Sequence, residues 1–150
     1  ATRIVTFNIG GALPVTNIPG ITRGYHDLSH TGRDPEKLRQ LHIIESALMA
    51  EFDRFLEKLS NMKDIGGTSL LDNTTVVFGS GMGNASAHAN TNLPVILAGG
   101  GFKHGRHLFF PKNGRQQTPL CDLYVTLLQQ MGVERDKFGS NKGNLNQLLV

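Results

Sequence analysis

The apolar positions of this chain follow two rhythms. From Leu38 onward they recur every three or four residues, at Leu41, Ile44, Leu48, Phe52, Phe55 and Leu59. Lys37, Arg39, Glu45, Glu51, Asp53, Arg54, Glu57 and Lys58 fill the opposite face. That spacing predicts a long amphipathic helix with one core-facing stripe. Asp34 is placed to cap it, Pro35 suits its first position, and it should end near Asn61. A second helical stripe runs through Leu120, Leu123, Leu127, Leu128 and Met131, opened by Thr118-Pro119 and closed by Gly132. The other rhythm is continuous. Thr74–Gly79 and Leu93–Ala98 are unbroken apolar runs, the pattern of strands covered on both faces. Arg3–Phe7 and Leu108–Phe110 predict two further short strands.

Strand, helix, strand, strand, helix predicts an α/β layer fold in a single domain over 1–150. Four strands and two long helices are few for a free-standing sheet. The exposed edge and apolar face are therefore expected to be completed by missing strands or by a second copy of the chain, as a homodimer. Ala1 stands directly before the first strand-like run, so the chain reads as the C-terminal portion of a longer protein. Asn8–Arg33 is a long irregular connection, the kind that is usually functional or mobile.

Composition narrows the function classes. Of 150 residues, 39% are hydrophobic and 18% charged, which excludes a disordered chain. Eighteen glycines cluster at Gly10-Gly11, Gly66-Gly67, Gly79 to Gly83 and Gly99 to Gly101, marking tight turns or close backbone approach. The net charge of +3 is scattered. Its densest patch is Lys103, His104, Arg106 and His107, with Lys112 and Arg115 nearby. No long basic stripe with interleaved aromatics exists, so nucleic acid is not expected as a partner. No apolar run is long enough to span a membrane. The single cysteine, Cys121, excludes an intrachain disulfide and reads as a small packed hydrophobe.

The candidate chemistry lies in six histidines. His26 and His30 share one face if their segment is helical, so a metal can bridge them, with Asp27 and Ser29 available to fix the rings. The competing reading is a polar loop whose histidines bond to backbone groups. His88 lies in the small-residue loop Ser80–Asn92. Loops beyond strand ends carry ligand sites in open α/β sheets, but the asparagines there also make ordinary turns. Gly99-Gly100-Gly101 can shape an anion nest, although it lacks P-loop spacing. Lys103, Arg106 and His107 can hold an anionic group or form plain solvated surface. His42 reads as structural. Gly79-Ser80-Gly81 is not a nucleophile elbow, and no catalytic residue is assigned.

His26-Asp27-Leu28-Ser29-His30-Thr31 resembles the signature of the bacterial HXXSHH-motif family of marine organisms, with Thr31 in place of the last histidine. Asp34-Pro35-Glu36-Lys37, Leu70-Leu71-Asp72-Asn73, Gly79-Ser80-Gly81-Met82, Asn92-Leu93-Pro94, Gly105-Arg106-His107, Thr118-Pro119-Leu120 and Phe138-Gly139-Ser140 extend the likeness in order along the chain. The resemblance implies an alkaline-phosphatase-like fold, a partial layered sheet flanked by helices, and an exported, longer protein. It is similar to the alkaline phosphatase and sulfatase superfamily, whose members hold metal ions and cleave anionic esters. Laid on that pattern, His26, His30 and His88 are the metal ligands, enough for one divalent metal, zinc first. Gly81 and Met82 stand where that superfamily has Asp and His, and neither is a good zinc ligand. The implied function is a hydrolase-like domain binding one metal and a small anionic ester. The alternative is a non-catalytic binding or structural module that keeps the fold and needs no metal.

Overall fold

The computed structural model describes residues 4–9, 16–110 and 117–150. Arg3, Gly10-Gly11, Lys112 and Arg115 lie outside the described residues. The described elements, in chain order, are helix α1 (Tyr25–Ser29), helix α2 (Pro35–Asn61), strand β1 (Thr75–Gly79), strand β2 (Val95–Gly99), helix α3 (Leu120–Gln130) and a 3-10 turn (Asn146–Leu148). This is a small α/β protein. Its described residues form two compact units: Ala1–Leu56 with Asn84–Ala89, and Glu57–Gly83 with Asn90–Val150. Among the described residues no helix is long and apolar enough to cross a membrane.

The first unit is organised by α2. The Asp34 carboxylate accepts from Glu36 N at 2.9 Å, and Pro35 opens the helix as its spacing predicts. Ile44 is buried and packs with Ile21 and Leu28. Ile18, Tyr25, Leu41, Ile43 and Leu48 surround them. Not all of the apolar stripe is covered: Leu38 and Phe55 are 49% and 47% exposed. A buried polar residue lies on the same helix. Gln40 is 2% exposed. Its amide oxygen accepts from Thr22 N at 2.9 Å, and its amide nitrogen donates to Glu36 at 2.8 Å and to the Thr22 hydroxyl at 3.1 Å. These bonds tie the incoming segment to α2 and satisfy a group that would otherwise be costly to bury.

The second unit holds the sheet. β1 and β2 pair antiparallel, with Val77 opposite Leu97 and Phe78 opposite Ile96. The two strands are less covered than their apolar runs predict, for Val77 and Ile96 are 40% and 39% exposed. Among the described residues the sheet has only these two strands. Ile4–Ile9 and Leu108–Phe110 carry no regular structure, so neither predicted strand forms there. An apolar run of three residues has no ladder of its own; it becomes a strand only where a neighbour supplies backbone partners.

Val95 and Leu97 pack on a core of Phe102, Leu123, Leu145 and Leu148. The C-terminal tail closes this core: Lys103 N donates to Leu148 O at 2.8 Å and Val150 N to Gly101 O at 3.1 Å. Two buried polar groups on α3 anchor the tail. Asp122 accepts from Lys142 N at 2.7 Å and Gly143 N at 3.2 Å, while the Thr126 hydroxyl accepts from Leu145 N at 2.7 Å. Helix α3 starts one residue later than the predicted cap. Pro119 is its N-cap, without a side-chain cap bond, so Thr118 does not cap it. Gly132, with φ of 79°, ends it as predicted.

Candidate metal centre

The site is built from the end of one short helix and one tight loop, both in the first unit. Helix α1 has five residues, too few to hold itself together in isolation. Leu28, fully buried, anchors it in the core. His26 stands two positions before Leu28 and His30 two after, so both belong to the segment that Leu28 anchors. His30 is the first residue past the helix, at φ −87° and ψ 67°.

His88 arrives from Asn84–Ala89. Ala89 N donates to Asn84 O at 3.0 Å, and the Asn84 side-chain oxygen accepts from Ala87 N at 3.0 Å, which folds the loop on itself. His88 has φ of 48°, in the left-handed region that non-glycine residues seldom occupy. Such a conformation costs free energy and recurs at functional sites. Here it accompanies the meeting of the His88 ring with His30.

The His30 ring meets each of the other two. The ring centres of His26 and His30 are 4.9 Å apart and those of His30 and His88 5.0 Å, both edge-to-face, with His30 in the middle. Nε2 of His88 stands 3.4 Å from Nε2 of His30. That separation is longer than the 2.7–3.2 Å typical of a protein hydrogen bond from nitrogen, roughly stated. It matches the edge of a tetrahedral zinc site, where two nitrogens at about 2.0–2.1 Å from the metal lie about 3.3–3.4 Å apart. Among the described residues none of the three rings bonds to a main-chain group. No group of three or more His, Cys, Asp or Glu side chains among the described residues is arranged to hold a metal ion.

The neighbours of the rings are already engaged. Asp27 accepts from Lys37 at 2.8 Å and from Arg23 at 3.3 Å, and the Lys37 hydrogen bond chiefly holds its carboxyl below the usual aspartate range. Ser29 donates to His26 O at 2.7 Å. Neither fixes a ring, contrary to the expectation from their position in the motif. The physical reason is that the end of α1 leaves carbonyls and a charge to be satisfied, and these two side chains answer that need first.

The other predicted candidates belong to the second unit. Lys103, Arg106 and His107 are exposed and line one groove of about 1250 Å³, along with Phe109 and Leu123. His104 donates from Nε2 to Gly99 O at 2.5 Å, which occupies that ring nitrogen. Gly99-Gly100-Gly101 is a site of close backbone approach. Gly100 N donates to Leu71 O and Thr74 O, and a Cβ on Gly99 would fall 1.7 Å from Thr74 O. The Gly100 amide is therefore spent inside the fold and is not offered to an anion. His42 is exposed on α2. Cys121 is a half-buried free thiol, its sulfur packed beside Gly139.

Sequence reasoning missed Lys37 and Ser86. Lys37 Nζ donates to Asp27 O at 3.1 Å and to His30 O at 3.3 Å, and Ser86 Oγ donates to Ser29 O at 3.3 Å. Nothing in the local pattern separates Lys37 from the other charged residues of α2. No protein-family model, curated protein or solved structure matches this chain.

Proposed function

We propose that this chain is a hydrolase-like domain of the alkaline phosphatase and sulfatase superfamily, akin to the HXXSHH-motif proteins, that holds one divalent metal on His26, His30 and His88. The observation that carries the metal reading is the 3.4 Å separation of the His30 and His88 Nε2 atoms, with His26 packed against the same central ring. Three neutral nitrogens with a fourth position open to solvent suit zinc. Bound there, the metal would polarise an oxyanion or supply an activated water.

The chain's own groups favour an anionic ligand. Imidazole ligands leave the metal its full positive charge. The nearest carboxylate on α1, Asp27, is held by Lys37 and Arg23 and does not offset it. A phosphate or sulfate ester fits that charge. Lys103, Arg106 and His107, exposed in a groove of the second unit, are in this reading a separate anion-holding set of that unit. The competing reading, a non-catalytic module, is favoured by Gly81 and Met82 standing where the superfamily carries metal ligands, and by the absence of an assigned nucleophile.

Elemental analysis after zinc loading and exhaustive dialysis tests the metal reading. One equivalent in the wild type and near none in a folded His30→Ala variant is expected. Wild type without stoichiometric metal, or a variant that retains it, removes the site. A screen of aryl phosphates and sulfates with the loaded protein then separates hydrolase from module: no turnover above free zinc favours the module.

A further inference from the structure

Helix α1 is too short to supply partners for its own last carbonyls. An α-helix leaves about four carbonyl groups unsatisfied at its C-terminal end. In α1 the oxygens at this end are claimed almost one by one by side chains. His26 O accepts from Ser29 Oγ, Asp27 O from Lys37 Nζ, Ser29 O from Ser86 Oγ, and His30 O from Lys37 Nζ. Lys37 Nζ also meets the Asp27 carboxylate at 2.8 Å, and its side chain is only 16% exposed. An ammonium at a helix C-terminus is also favoured by the helix dipole.

The consequence for the imidazoles is direct. His30 lies past the helix, where the helical ladder no longer dictates its backbone. Its carbonyl is aimed by Lys37. Lys37 stands in the first turn of α2, whose start is fixed by the Asp34 cap and Pro35. Ser86 reaches from the loop that bears His88 to the residue before His30. One donor thus sets His30 on the α2 side, and the other brings His88's loop to the same carbonyl ladder.

We infer that Lys37, assisted by Ser86, is the positioning residue of the three-histidine cluster: by gripping the carbonyls of Asp27 and His30 it holds the His30 ring within metal-bridging distance of His88. This rests on the metal reading for its purpose but not for its geometry. Partners of metal-bound ligands typically change affinity by about 10- to 100-fold when removed. Lys37→Met keeps the aliphatic stem and deletes the donor, whereas Lys37→Arg keeps a cation able to reach both carbonyls.

The experiment uses the full chain with labelled histidine, first free of metal. In the wild type and Lys37→Arg a ring-to-ring nuclear Overhauser effect between His30 and His88 is expected. Lys37→Met should lose it while the resonances of the second unit stay in place. Ser86→Ala, which removes only a surface hydroxyl, should weaken it and serves as the milder probe if Lys37→Met fails to fold. Zinc titration should then show the Lys37→Met affinity reduced about 10- to 100-fold, with most of it recovered in Lys37→Arg. An unchanged ring contact in Lys37→Met, or in Ser86→Ala where Lys37→Met is unfolded, overturns the inference. A wild type that shows the ring contact but binds no zinc overturns the metal reading alone.

Discussion

Replacing Leu28 by alanine should destabilise the first unit by about 2.5–3.5 kcal/mol, in the lower part of the usual range for buried leucines. Leu28 is 0% exposed and packs with Ile21 and Ile44. The substitution removes three carbons from an apolar site. At about 0.8 kcal/mol for each methylene equivalent, the transfer cost alone is about 2.4 kcal/mol. A cavity adds to it, but Ile18, Tyr25, Leu41, Ile43 and Leu48 are only partly buried and can settle inward, which keeps that addition small. The assay exploits the aromatic content. The chain has no tryptophan and two tyrosines, Tyr25 in the Leu28 core and Tyr124 on α3. In a Tyr124→Phe background Tyr25 fluorescence therefore reports the first unit alone during urea unfolding. Chelator should be present throughout, since a bound metal would stabilise the folded state by mass action and mask part of the loss. A loss below about 1 kcal/mol would show that Leu28 is not the anchor of α1, because even the transfer term exceeds that.

Two further outcomes follow from the polar contacts. Asp122→Ala should cost the second unit about 2–4 kcal/mol, because two amides lose a charged acceptor. Asp122→Asn, which keeps an acceptor oxygen, should cost clearly less; equal losses in urea midpoints would refute the role of these bonds to Lys142 N and Gly143 N. In acid, the first unit should weaken through Glu36, whose carboxyl is held down to about 2 from an ordinary 4.5, mainly by the Arg39 hydrogen bond and then by Gln40. A folded-state pKa below the unfolded one means that the unfolded chain takes up the proton first. The contribution is therefore complete above the ordinary range and is lost as pH falls from about 4.5 towards about 2. Glu36→Gln should show a smaller drop in urea midpoint between pH 5 and pH 3, roughly the limits of that window, and an unchanged drop would contradict the assignment.

What the sequence determined by itself is local. Asp34, Pro35 and the three-and-four spacing from Leu38 place α2 with its observed ends, because capping and helical period act within a few residues. Gly132 closes α3 for the same reason. The nearness of His26 and His30 was legible in part: four positions apart they share a face while a helix lasts, but α1 ends at Ser29 and His30 lies just past it. Tertiary structure decided the rest. Whether an apolar run becomes a strand depends on a partner, so Thr75–Gly79 and Val95–Gly99 pair while Leu108–Phe110 does not. Buried Asp122, Thr126 and Gln40 look like surface residues until their distant amide partners are known. His30 and His88 are 58 positions apart, and no periodicity reaches that far. Their rings meet because Leu28 sinks into a core, Lys37 holds the end of α1, and Ser86 bonds the His88 loop to Ser29. These contacts form only when segments distant in sequence are brought together, at a chain-entropy cost that the burial of Ile21, Leu28 and Ile44 helps to offset.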